Sequence, residues 1–198
     1  MPRPPLPQAG KREPGAAPWD VLSTEYVLRT PWRDVRVDQL RLHTGNEVSY
    51  SYVEMGDAVF VVPLTTDGKI VVLRQYRHPV RAWTWEIVGG GVDEEGPVES
   101  ARRELLEEIG GRCRELVPLG SFYLGVAMLT TRSHAFLALD VELGDHEREP
   151  MELIETYLLD PDDAFERARD GRIDESQSAL ALLMAEPRVR AHLAATGP

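Results

Sequence analysis

Polar and apolar residues alternate through NEVSYSYVEMG, residues 46–56. A period of two predicts a half-buried strand. Shorter strand-like segments, 21–29 and 35–42, precede it. DAVFVVPLTTDGKIVVLRQYR then gives two β-rich apolar runs about Asp67-Gly68, the pattern of a hairpin. AWTWEIVGGG predicts another strand, ended by its three glycines. The helical period comes in at 97–109, with Pro97 in the first turn and Gly110-Gly111 as the stop. Strands are expected again at 116–124, 133–143 and 152–159. Asp160-Pro161 opens a helix that Gly171 ends, and a second helix is expected over 174–186. Strands, one helix, more strands and closing helices make an α+β order without the regular alternation of a doubly wound sheet.

Composition narrows this picture. The 198 residues suit one domain with a sizeable core. Residues 1–18, rich in Pro, Gly and Ala, read as a disordered tail, and 19–198 as the folded domain. No apolar run reaches the roughly 18 residues of a membrane span, and the N-terminus lacks the hydrophobic segment of a secretory signal. The expectation is therefore a cytoplasmic protein. A net charge of −11 argues against nucleic acid, which is bound mainly through Lys and Arg. It leaves room for a small phosphorylated substrate, because a metal ion can supply positive charge. Cys113, the single cysteine, excludes an intrachain disulfide and a cysteine-built zinc site.

RRELLEEIGG, residues 102–111, carries the candidate chemistry. Glu104, Glu107 and Glu108 stand at i, i+3 and i+4, so their carboxylates share one helix face and repel. One reading is a solvated acidic face partly paired with arginine. The other is an anchor for Mg²⁺ or Mn²⁺, which take oxygen ligands. Ala101, Leu105, Leu106 and Ile109 are expected to pack this helix on a core. The preceding loop, GGGVDEEG, can add backbone carbonyls and further carboxylates.

The spacing from Gly89 through Glu95 to Arg103-Glu104-Leu105-Leu106-Glu107-Glu108-Ile109-Gly110 resembles the Nudix box. The resemblance implies the Nudix fold, a mixed sheet sandwiched between helices. It also implies metal-dependent hydrolysis of a nucleoside diphosphate linked to another moiety. By the same likeness Glu104, Glu107 and Glu108 bind the metals together with Gly89, Arg103 orients a carboxylate, and Glu95 has a lesser role. The loop is one residue short of the usual pattern, so Glu94 is an alternative to Glu95. The last box position, usually apolar, is Gly111.

VVLRQYRHP followed by WTWEIVGGG resembles the branch that cleaves ADP-ribose and nucleotide sugars. That likeness implies a diphosphate contact for Arg77 and a substrate- or metal-binding role for Glu86. It further implies a homodimer whose N-terminal strands, within 19–55, exchange across the dimer. Trp32 lies in the region from which an aromatic stacks on the base, or else it packs in a core or interface. The downstream loop departs from the branch: Val126 stands at a proline position and Thr131 where some relatives have a proposed general base, Glu. His134 is either a contact or structural. GDHEREP (144–150) reads as a solvated turn, DPDDAFERARDG as an amphipathic surface helix and Cys113 as a small buried residue.

The expectation is thus a pyrophosphatase that releases a nucleoside monophosphate and a sugar phosphate. The alternatives are a non-catalytic nucleotide-sugar-binding regulatory module, and an enzyme cleaving dinucleoside polyphosphates or nucleoside triphosphates.

Overall fold

The computed structural model describes residues 18–146 and 153–196. The tail expected over 1–18 falls outside these residues except for its last position, and so does the 147–150 part of GDHEREP. The chain divides after Glu54 into two compact units, each with its own sheet.

The N-terminal unit is an antiparallel meander of β1 (Asp20–Arg29), β2 (Asp34–Arg41) and β3 (Glu47–Glu54). One polar network spans all three strands. Arg36 donates to Asp38 at 2.8 Å and to Glu54 at 2.7 Å, while Asp38 also accepts from Thr24 and Tyr52. Tyr26 donates to Glu54. A register slip of one residue would turn these side chains to the opposite face and break every bond. Arg36 holds the Asp38 carboxyl below its usual range. Burial, then the bond to Asp38, pushes the Tyr52 hydroxyl up to about 12.

Among the described residues, the second unit holds a seven-stranded mixed sheet and three helices. The strands are β4 (Ala58–Thr65), β5 (Ile70–Arg77), β6 (Ala82–Glu86), β7 (Val88–Gly91), β8 (Glu115–Tyr123), β9 (Arg132–Val141) and β10 (Ile154–Leu159). The helices are α1 (Pro97–Ile109), α2 (Pro161–Asp170) and α3 (Ser176–Thr196). The main order is β10-β5-β4-β9-β8, with β6 on β5 and β7 on β4. Only β4–β9 is parallel among the strand pairings of this sheet. Period-two burial gives the sheet two apolar faces. Val59, Val61, Val71, Leu73, Phe136 and Ala138 meet α1. Val62, Leu64, Ile70, Val72, Ala135 and Leu137 meet α2 and α3. The expected sandwich is present.

Four expectations change. AWTWEIVGGG is two strands, and the glycines do not end the run: Gly89, Gly90 and Gly91 are themselves β7, paired with Phe60, Val59 and Ala58. Ile87 breaks the run because the chain moves there from the edge of β5 to the edge of β4. The last helix does not stop at 186 but runs through Pro187 to Thr196. Proline removes one helical hydrogen bond, but the burial of Ala185 and Val189 on either side carries the helix past it. Leu106, expected on the packing face of α1, is 38% exposed, since Ala101, Leu105 and Ile109 alone fill that seam. Cys113 is half-buried rather than buried.

The ends of α1 follow its sequence. Pro97 opens it, and the N–H groups of Gly110 and Gly111 return to the carbonyls of Leu106 and Leu105, a Schellman-type stop. Gly110 has φ 63°, and a Cβ there would overlap the Gly144 carbonyl. Both conformation and space demand glycine.

Candidate functional site

The site is built where β7 runs beneath α1. A side chain at Gly90 would overlap the carboxylate of Glu104, so only glycine allows this approach. The N–H of Gly89 donates to Glu108 Oε2 at 3.1 Å. The helix spacing and the glycine strand together turn Glu104 and Glu108 inward, at 8% and 3% exposure, while Glu107 stays half-exposed.

Arg103 connects the cluster. It reaches Glu107 at 2.7 Å, Glu104 at 2.8 Å, Asp93 at 3.2 Å and the Gly91 carbonyl at 3.1 Å. Partial burial works against its charge, but Glu104, Glu107 and Asp93 outweigh that and raise its pKa. The repulsion along the helix face is therefore relieved in part by this guanidinium.

Asp93 was not singled out in the sequence. Its carboxylate accepts from the N–H of Glu95 and from Ser100, and it pairs with Arg103. These contacts hold its pKa low, the Glu95 N–H first among them. Asp93 is the carboxylate of this loop that pairs with Arg103; Glu94 and Glu95, like Asp93, stand at exposed positions.

Across the same sheet face, Arg77 and Glu86 form a two-point pair at 2.8 and 2.5 Å, and Thr84 adds a bond of 2.6 Å to Glu86. Glu86 is buried, and Arg77 remains about half exposed. The bond to Glu86, then the fields of Glu86, Glu108 and Glu175, raise the Arg77 pKa against the effect of burial. A forked guanidinium fixed in this way presents its remaining donors to an oxyanion.

The metal expectation meets a donor set made only of oxygens and charged −3 on one helix, which suits a hard divalent cation. Among the described residues no group of three or more His, Cys, Asp or Glu already stands arranged to hold an ion. Arg103 draws Glu104 and Glu107 to itself, and Gly89 meets Glu108 through its N–H. The residues fit such an ion by chemistry and charge.

The downstream loop carries a different set. Val126 is exposed. The Thr131 hydroxyl is buried without a partner among the described residues, as is that of Ser133. His134 pairs with Asp57 at 3.1 Å, and Asp57 also accepts from the Arg132 N–H. His134, with the Arg132 N–H adding to it, lowers the Asp57 pKa against partial burial. His134 thus has a structural partner that the sequence did not mark. Trp32 belongs to the N-terminal unit, at the β1–β2 turn, and is 76% exposed.

Comparison with known proteins agrees with this division of the chain. Residues 54–180 match the NUDIX domain, and residues 19–53 match the nucleoside diphosphate sugar hydrolase N-terminal domain. An ADP-ribose pyrophosphatase of Bacillus subtilis is 28% identical over 81% of this chain and 89% of its own length. A CMP-5'-(N-acetyl-N-hydroxy-3-aminopropyl)phosphonate hydrolase of Streptomyces rubellomurinus is 31% identical over 75% of this chain and 73% of its own. A crystal structure of an ADP compounds hydrolase superposes with a TM-score of 0.75, covering 91% of this chain and 97% of the other at 21% identity, a likeness of fold.

Proposed function

The chain belongs to the Nudix family and is a hydrolase of nucleoside diphosphate derivatives, and we propose that it cleaves the pyrophosphate bond of a nucleoside diphosphate sugar. ADP-ribose or a sugar nucleotide would give a nucleoside monophosphate and a sugar phosphate. The observation that carries this reading is the pairing on one sheet face of two parts. One is a glutamate cluster seated on a glycine strand; the other is an arginine locked by Glu86.

Each residue has a distinct task in this reading. Arg77 binds the diphosphate, and Glu86 fixes its fork so that little ordering is left for the moment of binding. Glu104, Glu107 and Glu108, with Gly89, hold a divalent cation, Mg²⁺ or Mn²⁺. Such an ion supplies positive charge at the phosphoryl oxygens and makes water easier to deprotonate. Arg103 keeps Glu104 and Glu107 oriented. Thr131 cannot take the proton near neutral pH, and its hydroxyl is buried; the proton is assigned to Glu104. Trp32 is a candidate to stack on the base.

The proposed assembly is a homodimer. It is supported by the apolar side chains that β1 leaves exposed, Val21, Val27 and Leu28, which are costly to keep in water. The partners are small molecules in the cytoplasm, and the charge of −11 opposes nucleic acid. No described helix is long and apolar enough to cross a membrane.

The test is a hydrolysis screen of ADP-ribose, GDP-mannose, UDP-glucose, NADH and diadenosine polyphosphates with Mg²⁺ or Mn²⁺. A diphosphate sugar is expected to lead. Preference for a dinucleoside polyphosphate would shift the substrate class, and absence of turnover throughout would support the non-catalytic alternative.

A further inference from the structure

Both chain neighbours of Glu86 are gripped from outside the sheet. β6 pairs with β5 along one edge, and a strand edge carries N–H groups that need partners. On the free edge, the N–H of Trp85 donates to Asp174 Oδ1 at 2.7 Å, and the N–H of Ile87 donates to Ser178 Oγ at 3.0 Å. The start of α3 is organised around this grip. Glu175 accepts from the N–H groups of Gln177 and Ser178, as an N-terminal cap does. It also accepts the Ser178 hydroxyl proton at 2.7 Å, which leaves the Ser178 lone pairs aimed at Ile87. Ser178 is fully buried and Asp174 is exposed. Two fixed points, one on each side of Glu86, leave its carboxylate little freedom, and that carboxylate sets the direction of the Arg77 fork through two bonds.

We propose that Asp174 and Ser178 are positioning residues for substrate binding, a clamp from the segment before α3 and from its first turn that holds β6 so that Glu86 presents Arg77 to the diphosphate. The proposal rests on the reading of Arg77 as a diphosphate contact. Displacement of a binding group by about 1 Å can cost up to on the order of 100-fold, and a group that acts on binding alone is read in KM.

The experiment is steady-state kinetics on the best substrate of the screen, with thermal melting in parallel. D174A and S178A are each expected to raise KM about 5- to 20-fold with kcat within about threefold. D174N keeps an acceptor oxygen and is expected to retain the wild-type KM. R77A is expected to raise KM further, and D174A added to R77A to have no further effect, because the clamp acts through Arg77. If D174A and S178A lower the melting temperature but leave KM unmoved while R77A raises it, the clamp is structural only and the proposal falls alone. If R77A leaves KM unmoved, or no nucleoside diphosphate is turned over, the reading of Arg77 fails and the proposal falls with it. Asp174 is exposed, so D174A keeps the test open even if S178A does not fold.

Discussion

At the scale of single residues, Thr131 and Glu104 set up an informative contrast. A buried hydroxyl with no partner forgoes the hydrogen bond that would offset its desolvation. Thr131→Ala is therefore expected to leave stability unchanged or slightly higher, and to change kcat by less than about tenfold. Glu104→Gln removes the assigned proton acceptor and a charge beside Arg103, and is expected to cost at least about a hundredfold. The kcat of both variants at saturating Mg²⁺ checks this; equal damage would mean that the loop takes part in the chemistry. Glu107→Gln and Glu108→Gln should each cost on the order of 100-fold in kcat with an unchanged circular dichroism spectrum. Wild-type turnover should cease in EDTA, and full activity there would remove the cation from the reading. The three glutamates were legible in the sequence because helix spacing alone brings them to one face. Asp93 and Ser178 were not, because much of what they bind is main-chain N–H, which leaves no pattern in side-chain identity.

At the scale of elements, legibility followed local punctuation. The bounds of α1 were readable because Pro97 and Gly110 bracket it. The break at Ile87 was not, since an apolar residue suits both the end of β6 and the start of β7. The expected end of the last helix at 186 was not its real end, because tertiary burial carries it through Pro187 to Thr196. The N-terminal meander yields a pH prediction. Asp38 is depressed in the fold, so its contribution is present above its unfolded value of about 3.9 and is lost as pH falls through the lower folded value. Tyr52 is raised to about 12, so its contribution is present below about 10 and fades as pH rises between the two values. Stability of this sheet should therefore be level from about pH 5 to 9 and fall on both sides. D38N should be less stable at neutral pH and lose the acid limb. Hydrogen exchange of β1–β3 across pH is the measurement; a D38N profile with the acid limb intact would contradict the assignment.

At the scale of the whole molecule, the α+β order was legible from the succession of elements and the sandwich from the resemblance to the Nudix box, but the strand pairing was in neither. That β4 lies parallel to β9 depends on a match between remote segments that neither declares locally. The proposed dimer makes its prediction here. Removal of residues 1–17, a segment rich in Pro, Gly and Ala, should leave both the sedimentation coefficient of a dimer and kcat intact. An active monomer at working concentration would refute the dimer.

The β4–β9 pairing also bears on how the chain comes off the ribosome. Asp57 and Arg132, bonded at the start of these strands, are 75 residues apart. The centre of the sheet therefore stays incomplete until nearly three-quarters of the polypeptide has been made. Meanwhile the β4–β5 hairpin and α1 have emerged with their apolar faces uncovered. Such distant pairing slows folding and invites aggregation of nascent chains. Yield in a host should therefore depend on translation rate and chaperone supply more than the stability of the finished enzyme would suggest.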